Sequence, residues 1–237
     1  MIYFTSDTHF SHKNILAYEP ITRPFKNIDE MNEYIVERWQ ERITDEDEVY
    51  VLGDFFMGQL DKIQPILDRL PGKIHLIRGN HDQKNRIKIY EENGIDVKDL
   101  DYIKYKGRFF ILCHFPNNNE EFIRMITQDN SEVVWLYGHV HSNAPYGYHD
   151  GTFHIGCDTN NLTPISIEEV WKQCWPEEIM TPEVKEYKEK AEREEERDCA
   201  RCEYFQGCLR GRLAQVKNEK VICNKYSREI KDGGFYH

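Results

Sequence analysis

The chain has 237 residues, 39% of them hydrophobic and 31% charged, the proportions of a folded domain with its own core. No apolar run reaches the roughly 18 residues of a membrane span. A net charge of −11 argues against broad electrostatic binding of nucleic acid.

Met1 begins the segment MIYFTSDTHF, which has neither a basic region nor a long apolar stretch. No signal peptide is expected, and the cytoplasm is the expected address. Ile2 to Thr5 reads as a buried strand delivering Asp7 and His9 at its end. A loop with Pro20 and Pro24 follows to Asn27. Asp29 is the expected N-cap of a helix whose Met31, Tyr34, Ile35 and Trp39 repeat at helical spacing. Glu48 to Leu52 is a second strand, followed by Gly53-Asp54. A helix with Pro65 inside it is expected from Gln59 to Leu70. Lys73 to Ile77 is a third strand, running into Gly79-Asn80-His81-Asp82. A helix from Gln83 to Glu92 follows.

Beyond Gly94 short strands take over, at 95–98, 101–105, 108–113, 133–136 and 152–155. One helix interrupts them at 119–128, and another spans Ser166 to Trp171. His149 and His154 flank Asp150-Gly151, a hairpin signal. A β-α-β-α-β half followed by a mostly β half predicts a layered α/β domain with helices outside the sheets. That domain is expected to span 1–175. A charged linker follows at 176–198, with the helical pairs Glu186–Lys190 and Glu189–Arg193. A Cys-rich module occupies 199–237.

The chemistry sits at the strand ends. In chain order they carry Asp7/His9, Asp54, Asn80/His81/Asp82, His114 and His139/His141. In α/β folds the carboxyl ends of strands line the ligand crevice. A lone histidine there is ordinarily a surface residue, but five such ends in order are not coincidence. Carboxylates and imidazoles suit manganese, iron or zinc. There are enough donors for two ions with one carboxylate bridging them. Two ions about 3.5–4 Å apart clamp the attacking and leaving oxygens of a displacement at phosphorus.

The series resembles the calcineurin-like metallophosphoesterase superfamily, whose pattern is D-x-H, G-D, G-N-H-D/E, a lone H and G-H-x-H. The resemblance runs over about residues 1–170, with every ligand position filled. It implies a four-layer α/β/β/α fold, a β-sandwich flanked by helices. It implies one metal on Asp7, His9, Asp54 and His141, and another on Asp54, Asn80, His114 and His139. His81 would then assist the leaving group, with Asp82 orienting it. The implied reaction is hydrolysis of a phosphate ester by hydroxide generated on the metals. Histidine as the second motif residue looks like the phosphodiesterase and nuclease side without deciding between diester and monoester, and the diester is expected narrowly ahead. A non-catalytic phosphate-binding scaffold is the alternative, but such proteins lose metal ligands and none is lost here.

The loop Phe10-Ser11-His12-Lys13-Asn14 with Arg23-Pro24-Phe25 resembles small bacterial and phage members. His12, Lys13 and Arg23 are candidates to touch substrate phosphate. Equally, Arg23-Pro24-Phe25 could pack the loop and Lys13 could face solvent. Asp158, Asn160 and Asn161 line the cleft or, more simply, cap a turn.

Cys199-x2-Cys202-x5-Cys208-x14-Cys223 offers four thiolates to a structural zinc. An iron–sulfur cluster and disulfides or free thiols are the other readings. This stretch has eight Lys/Arg against four Asp/Glu and carries Tyr204, Phe205 and Tyr226. It could therefore contact nucleic acid by charge and stacking. A stabilising cap or a protein contact is the simpler role.

Overall fold

The computed structural model describes residues 1–117, 133–145 and 147–176, and the backbone of 196–198 and 220–222. The chain divides into two compact units, Met1–Cys174 and Trp175–His237. The helix expected at 119–128 and the four-cysteine cluster lie outside the described residues. In the second unit, strands β11 (Glu196–Asp198) and β12 (Lys220–Ile222) pair antiparallel. The end of the expected helical linker is thus extended rather than helical.

In the first unit, β1 (Ile2–Thr5), β2 (Glu48–Val51), β3 (Lys73–Ile77) and β4 (Asp96–Lys98) pair in parallel. β10 (Ile165–Ser166) joins β1 antiparallel, giving the order β10-β1-β2-β3-β4. Alternation along the strands sends Val49, Val51, Ile74 and Leu76 into one core with Met31, Ile35, Val36 and Trp39. Those four come from α2 (Ile28–Gln40), where positions 31, 35, 36 and 39 share one helical face. Trp39 is fully buried, and its Nε1 donates to Pro71 O at 2.9 Å.

α2 starts earlier than its sequence suggests. Asn27 is the N-cap, its Oδ1 accepting from Glu30 N at 2.9 Å, and Asp29 lies in the first turn. The expected helix 59–70 is a 3-10 turn, Leu60–Lys62, running into a short α3 (Ile63–Leu67). Pro65 stands in the first turn of α3, where its missing N–H has no intrahelical partner to lose. A further short helix, α1 (Ile15–Tyr18), lies in the loop after β1. α4 (Lys84–Glu92) follows β3.

The second sheet has the order β5-β6-β7-β9-β8. β5 (Asp101–Tyr105) and β6 (Arg108–Leu112) form a hairpin. β7 (Val133–Tyr137) lies parallel to both β6 and β9 (Thr152–His154). β8 (Tyr148–His149) turns into β9 through Asp150 and Gly151, both at positive φ, as that dipeptide predicts. α5 (Ile167–Cys174) packs across β1, β10 and β8. Ser166 and Glu169 cap it reciprocally: Ser166 N donates to the Glu169 carboxylate at 2.8 Å, and Glu169 N donates to Ser166 Oγ at 3.3 Å. The result is a mixed α/β fold with two sheets flanked by helices. No helix among the described residues is long and apolar enough to cross a membrane.

One seam joins the sheets. Ser6, past the end of β1, makes a parallel bridge with Gly156, past the end of β9. The parallel strands β1, β2, β3, β6 and β7 all run into the segments that carry the chemical residues.

Candidate active site

Asp54 is the hub. Its Oδ1 accepts from His81 N at 2.8 Å. Its Oδ2 lies 3.7 Å from His9 Nε2, 3.6 Å from His114 Nε2 and 4.0 Å from His81 Nε2. Asp82 holds this hub from behind. Its carboxylate accepts from Asp54 N at 2.8 Å, Gly79 N at 2.9 Å and Phe55 N at 3.3 Å. Asp82 was expected to orient His81. Instead it ties the ends of β2 and β3 together, with no hydrogen bond to the His81 ring among the described contacts. Gly79 is required here by close approach, since a Cβ would stand 2.3 Å from Asp54 Oδ1.

The donors form two groups. Asp7, His9 and His141 present ligand atoms within 4.8 Å of one another, as do Asp7, Asp54 and His114. Asn80 Oδ1 sits 2.9 Å from His114 Nε2 and 3.0 Å from His139 Nδ1, and those two nitrogens are 3.2 Å apart. Asp7 is anchored through Oδ2, which accepts from Ser6 Oγ at 2.6 Å and from His139 N at 2.9 Å. A Cβ at Gly138 would strike Ser6 Oγ at 1.9 Å and Asp7 Oδ2 at 2.3 Å. Gly138 is therefore needed for this approach, whereas Gly53, at φ 90°, is needed for its turn.

Backbone conformation marks the same residues. Asp7, His9, Asp54, His139 and His141 all have positive φ, between 48° and 73°. Non-glycine residues adopt this region rarely and at an energetic cost. Here it turns successive side chains toward one point.

A cation fits this donor set. Asp7 Oδ1 and both ring nitrogens of His9 are buried without a hydrogen-bond partner. Leaving such an atom unpaired costs about 1–3 kcal/mol each, and a cation would satisfy Asp7 Oδ1 together with one nitrogen of His9. Burial, together with neighbouring imidazoles and Arg23, holds His9 well below the usual histidine pKa, so its ring is neutral and one nitrogen offers a lone pair. Burial raises the Asp7 carboxyl, which a bound cation would reverse.

Arg23 departs from expectation. It is 1% exposed and cannot reach substrate. Its Nε and one terminal nitrogen donate to Asp158 Oδ1 and Oδ2, each at 2.8 Å. Its terminal nitrogens also donate to Asp7 O at 2.6 Å and Thr8 O at 2.9 Å. Packing of the loop is the reading that holds.

Asp158 has a partner that sequence reading did not assign. It lies in a short 3-10 turn, as a turn residue should, yet its Oδ2 is 2.8 Å from His141 Nδ1. A carboxylate on the far nitrogen fixes the tautomer and aims the other nitrogen at the site. The cleft position was one of the two readings for Asp158, but no local pattern pairs it with His141.

His12 is half-buried, its ring 5.2 Å from that of His9, and its Nδ1 is buried without a partner. Lys13 is exposed. The His81 side chain is 42% exposed at the rim.

Two sheets with facing strand ends and clustered carboxylate and imidazole donors define a metal-dependent hydrolase architecture. Residues 1–155 match the calcineurin-like phosphoesterase superfamily domain, and the chain belongs to that superfamily. It is a metal-dependent phosphoesterase. The chain is 31% identical over 181 residues to an uncharacterized protein of Methanocaldococcus jannaschii, covering 72% of this chain and 89% of the relative. It is 28% identical to the gene 66 protein of Mycobacterium phage D29, covering 69% and 92%. Among solved structures, it is similar to a protein of unknown function from Aquifex aeolicus. That likeness has a TM-score of 0.59 and 30% identity, and covers 73% of this chain and 98% of the other.

Proposed function

We propose that the protein is a dinuclear phosphoesterase that prefers phosphodiesters over phosphomonoesters. Asp7, His9, Asp54 and His141 hold one divalent ion and Asp54, Asn80, His114 and His139 the other. The observation that carries this reading is the convergence of both donor groups on Asp54 Oδ2, beside buried donor atoms that lack partners. Manganese, iron or zinc bound there would supply Lewis acidity to phosphoryl oxygens and lower the pKa of water.

His81 is the proton donor to the leaving oxygen. Its backbone N–H is tied to Asp54, so the imidazole is held at the rim above the hub. His81→Ala should keep both metals and lower kcat roughly 10²–10⁴-fold, the usual worth of general acid catalysis. Loss of metal in that variant would contradict the role. His12 and Lys13 contact the non-bridging phosphate oxygens.

The test is hydrolysis of bis-p-nitrophenyl phosphate against p-nitrophenyl phosphate, by metal-stripped protein reloaded with Mn²⁺. Faster diester turnover is expected. Faster monoester turnover would reverse the preference, and no turnover with two ions bound would remove the catalytic reading.

For the Cys-rich module, the four thiolates support one structural zinc. Metal analysis should find one zinc that survives mild chelation of the active site and disappears in a Cys199→Ser/Cys202→Ser variant. An unchanged zinc content would refute the assignment.

A further inference from the structure

A cleft of ≈ 670 Å³ opens beside the site, with Asn80 in its wall. Arg78, Gln83, Lys84, Ile87 and Phe115 line it as well. Resting on the phosphodiesterase reading, we propose that this cleft binds the nucleoside of a nucleoside phosphodiester, with the base against Phe115.

Position comes first. Asn80 belongs both to a donor group and to the cleft. A phosphate held beside Asn80 by the proposed ions would therefore present one of its ester substituents to this space. The volume suits a nucleoside, since ligand pockets span roughly 300–1,000 Å³. It far exceeds what a methyl or ethyl ester would fill.

The lining gives the chemistry. Phe115 is 44% exposed, an apolar ring at the mouth of a polar centre. It is also held in place. Its ring stands edge-on to His114 at 4.8 Å and 78° and to His139 at 5.0 Å and 61°. Its carbonyl accepts from Trp135 Nε1 at 3.0 Å. A fixed, half-covered ring is a preorganised stacking platform. Ile87 adds apolar surface, and the amides of Asn80 and Gln83 each offer both donors and an acceptor. Lys84 makes no ion pair among the described residues, whereas Arg78 pairs with Asp99 at 2.6 Å. An alkyl substituent would use none of these polar groups. A nucleoside presents a flat π face and a hydrogen-bonding edge together, which matches the lining.

The experiment compares thymidine 5′-(p-nitrophenyl phosphate) with methyl p-nitrophenyl phosphate, both on Mn²⁺-loaded full-length protein. The nucleoside ester should lead in kcat/KM by about tenfold or more, the usual range for one stacked base. Phe115→Ala should collapse that ratio, chiefly through KM, and Phe115→Tyr should retain it. A ratio near one in the wild type, or an unchanged ratio in Phe115→Ala, overturns the proposal. Calorimetry with AMP and ribose 5-phosphate reads the same cleft without turnover. AMP should bind about tenfold tighter, with the difference lost in Phe115→Ala. Equal binding overturns the cleft assignment. If neither ester is hydrolysed while AMP keeps its advantage, the phosphodiesterase reading fails and the nucleoside site stands.

Discussion

Asp54→Asn should release both active-site ions and lower kcat/KM at least about a thousandfold, because several kcal/mol of charge stabilisation depend on them. The shape of the side chain is preserved, so the fold should persist. Asparagine Oδ1 can still accept from His81 N, as Asp54 Oδ1 does at 2.8 Å. The charge at Oδ2 is lost, and an NH₂ group takes its place facing His9 and His114. Without metal, the variant should be as stable as the wild type or more so. Burial foremost, and the Asp54 charge in smaller part, raise the carboxyls of Asp7 and Asp82. Removing that charge relieves both. With metal, the wild type alone gains stability by ligation. The check is metal content after gel filtration, beside urea unfolding with and without Mn²⁺. Full occupancy in the variant would refute the bridging role.

Arg23→Ala should cost about 3–5 kcal/mol of stability, since it leaves Asp158 buried and unpaired. It also removes the donors to the Asp7 and Thr8 carbonyls. Lysine cannot replace the planar fork that spans both Asp158 oxygens. A Arg23→Met/Asp158→Leu variant should recover part of the stability, because the buried charges leave together. Its metal affinity should stay roughly 10–100-fold low, because His141 has lost the partner that aims it. The pair also sets an acid limit. Burial works to raise the Asp158 carboxyl, but hydrogen bonds from Arg23, His141 and Thr22 outweigh it and hold the pKa far below the carboxylate range. The stabilisation is therefore full above the ordinary carboxylate pKa of about 4 and is lost as pH falls below it. Urea titrations at neutral and acid pH measure both effects. A loss below about 1 kcal/mol for Arg23→Ala would place the pair with dispensable surface bridges.

The donor residues were legible because each stands at a strand end, and strands announce themselves through apolar alternation. Asp7, His9, Asp54, Asn80, His114, His139 and His141 needed only their place after a hydrophobic run. The structure gathers them at one seam. The partners of Asp82, Arg23 and Asp158 were hidden for the opposite reason. Each acts through a partner chosen by tertiary packing. Asp82 turns to three backbone N–H groups rather than to the adjacent His81 ring, and Arg23 finds Asp158 135 residues away. Local pattern also misplaced the start of α2. Asn27 and Asp29 are both good caps, and only the Asn27 contact with Glu30 N decides between them. Pro65 signalled an irregular helix, but not that the segment would split into a 3-10 turn and α3.

The seam between the sheets has a consequence for how the protein is made. The His139 amide reaches Asp7 across 132 residues, and neither donor group is complete on one sheet. A nascent chain that has emerged only through β4 displays Asp7, His9, Asp54 and Asn80 with no imidazole from the second sheet to close around an ion. Binding of the proposed ions would thus be a late step of biosynthesis, after His141 and its partner Asp158 have left the ribosome. Closing so long a loop costs little more free energy than closing a short one, about 0.6 kcal/mol per doubling of length. The penalty falls on the rate of folding, as in other chains dominated by distant contacts.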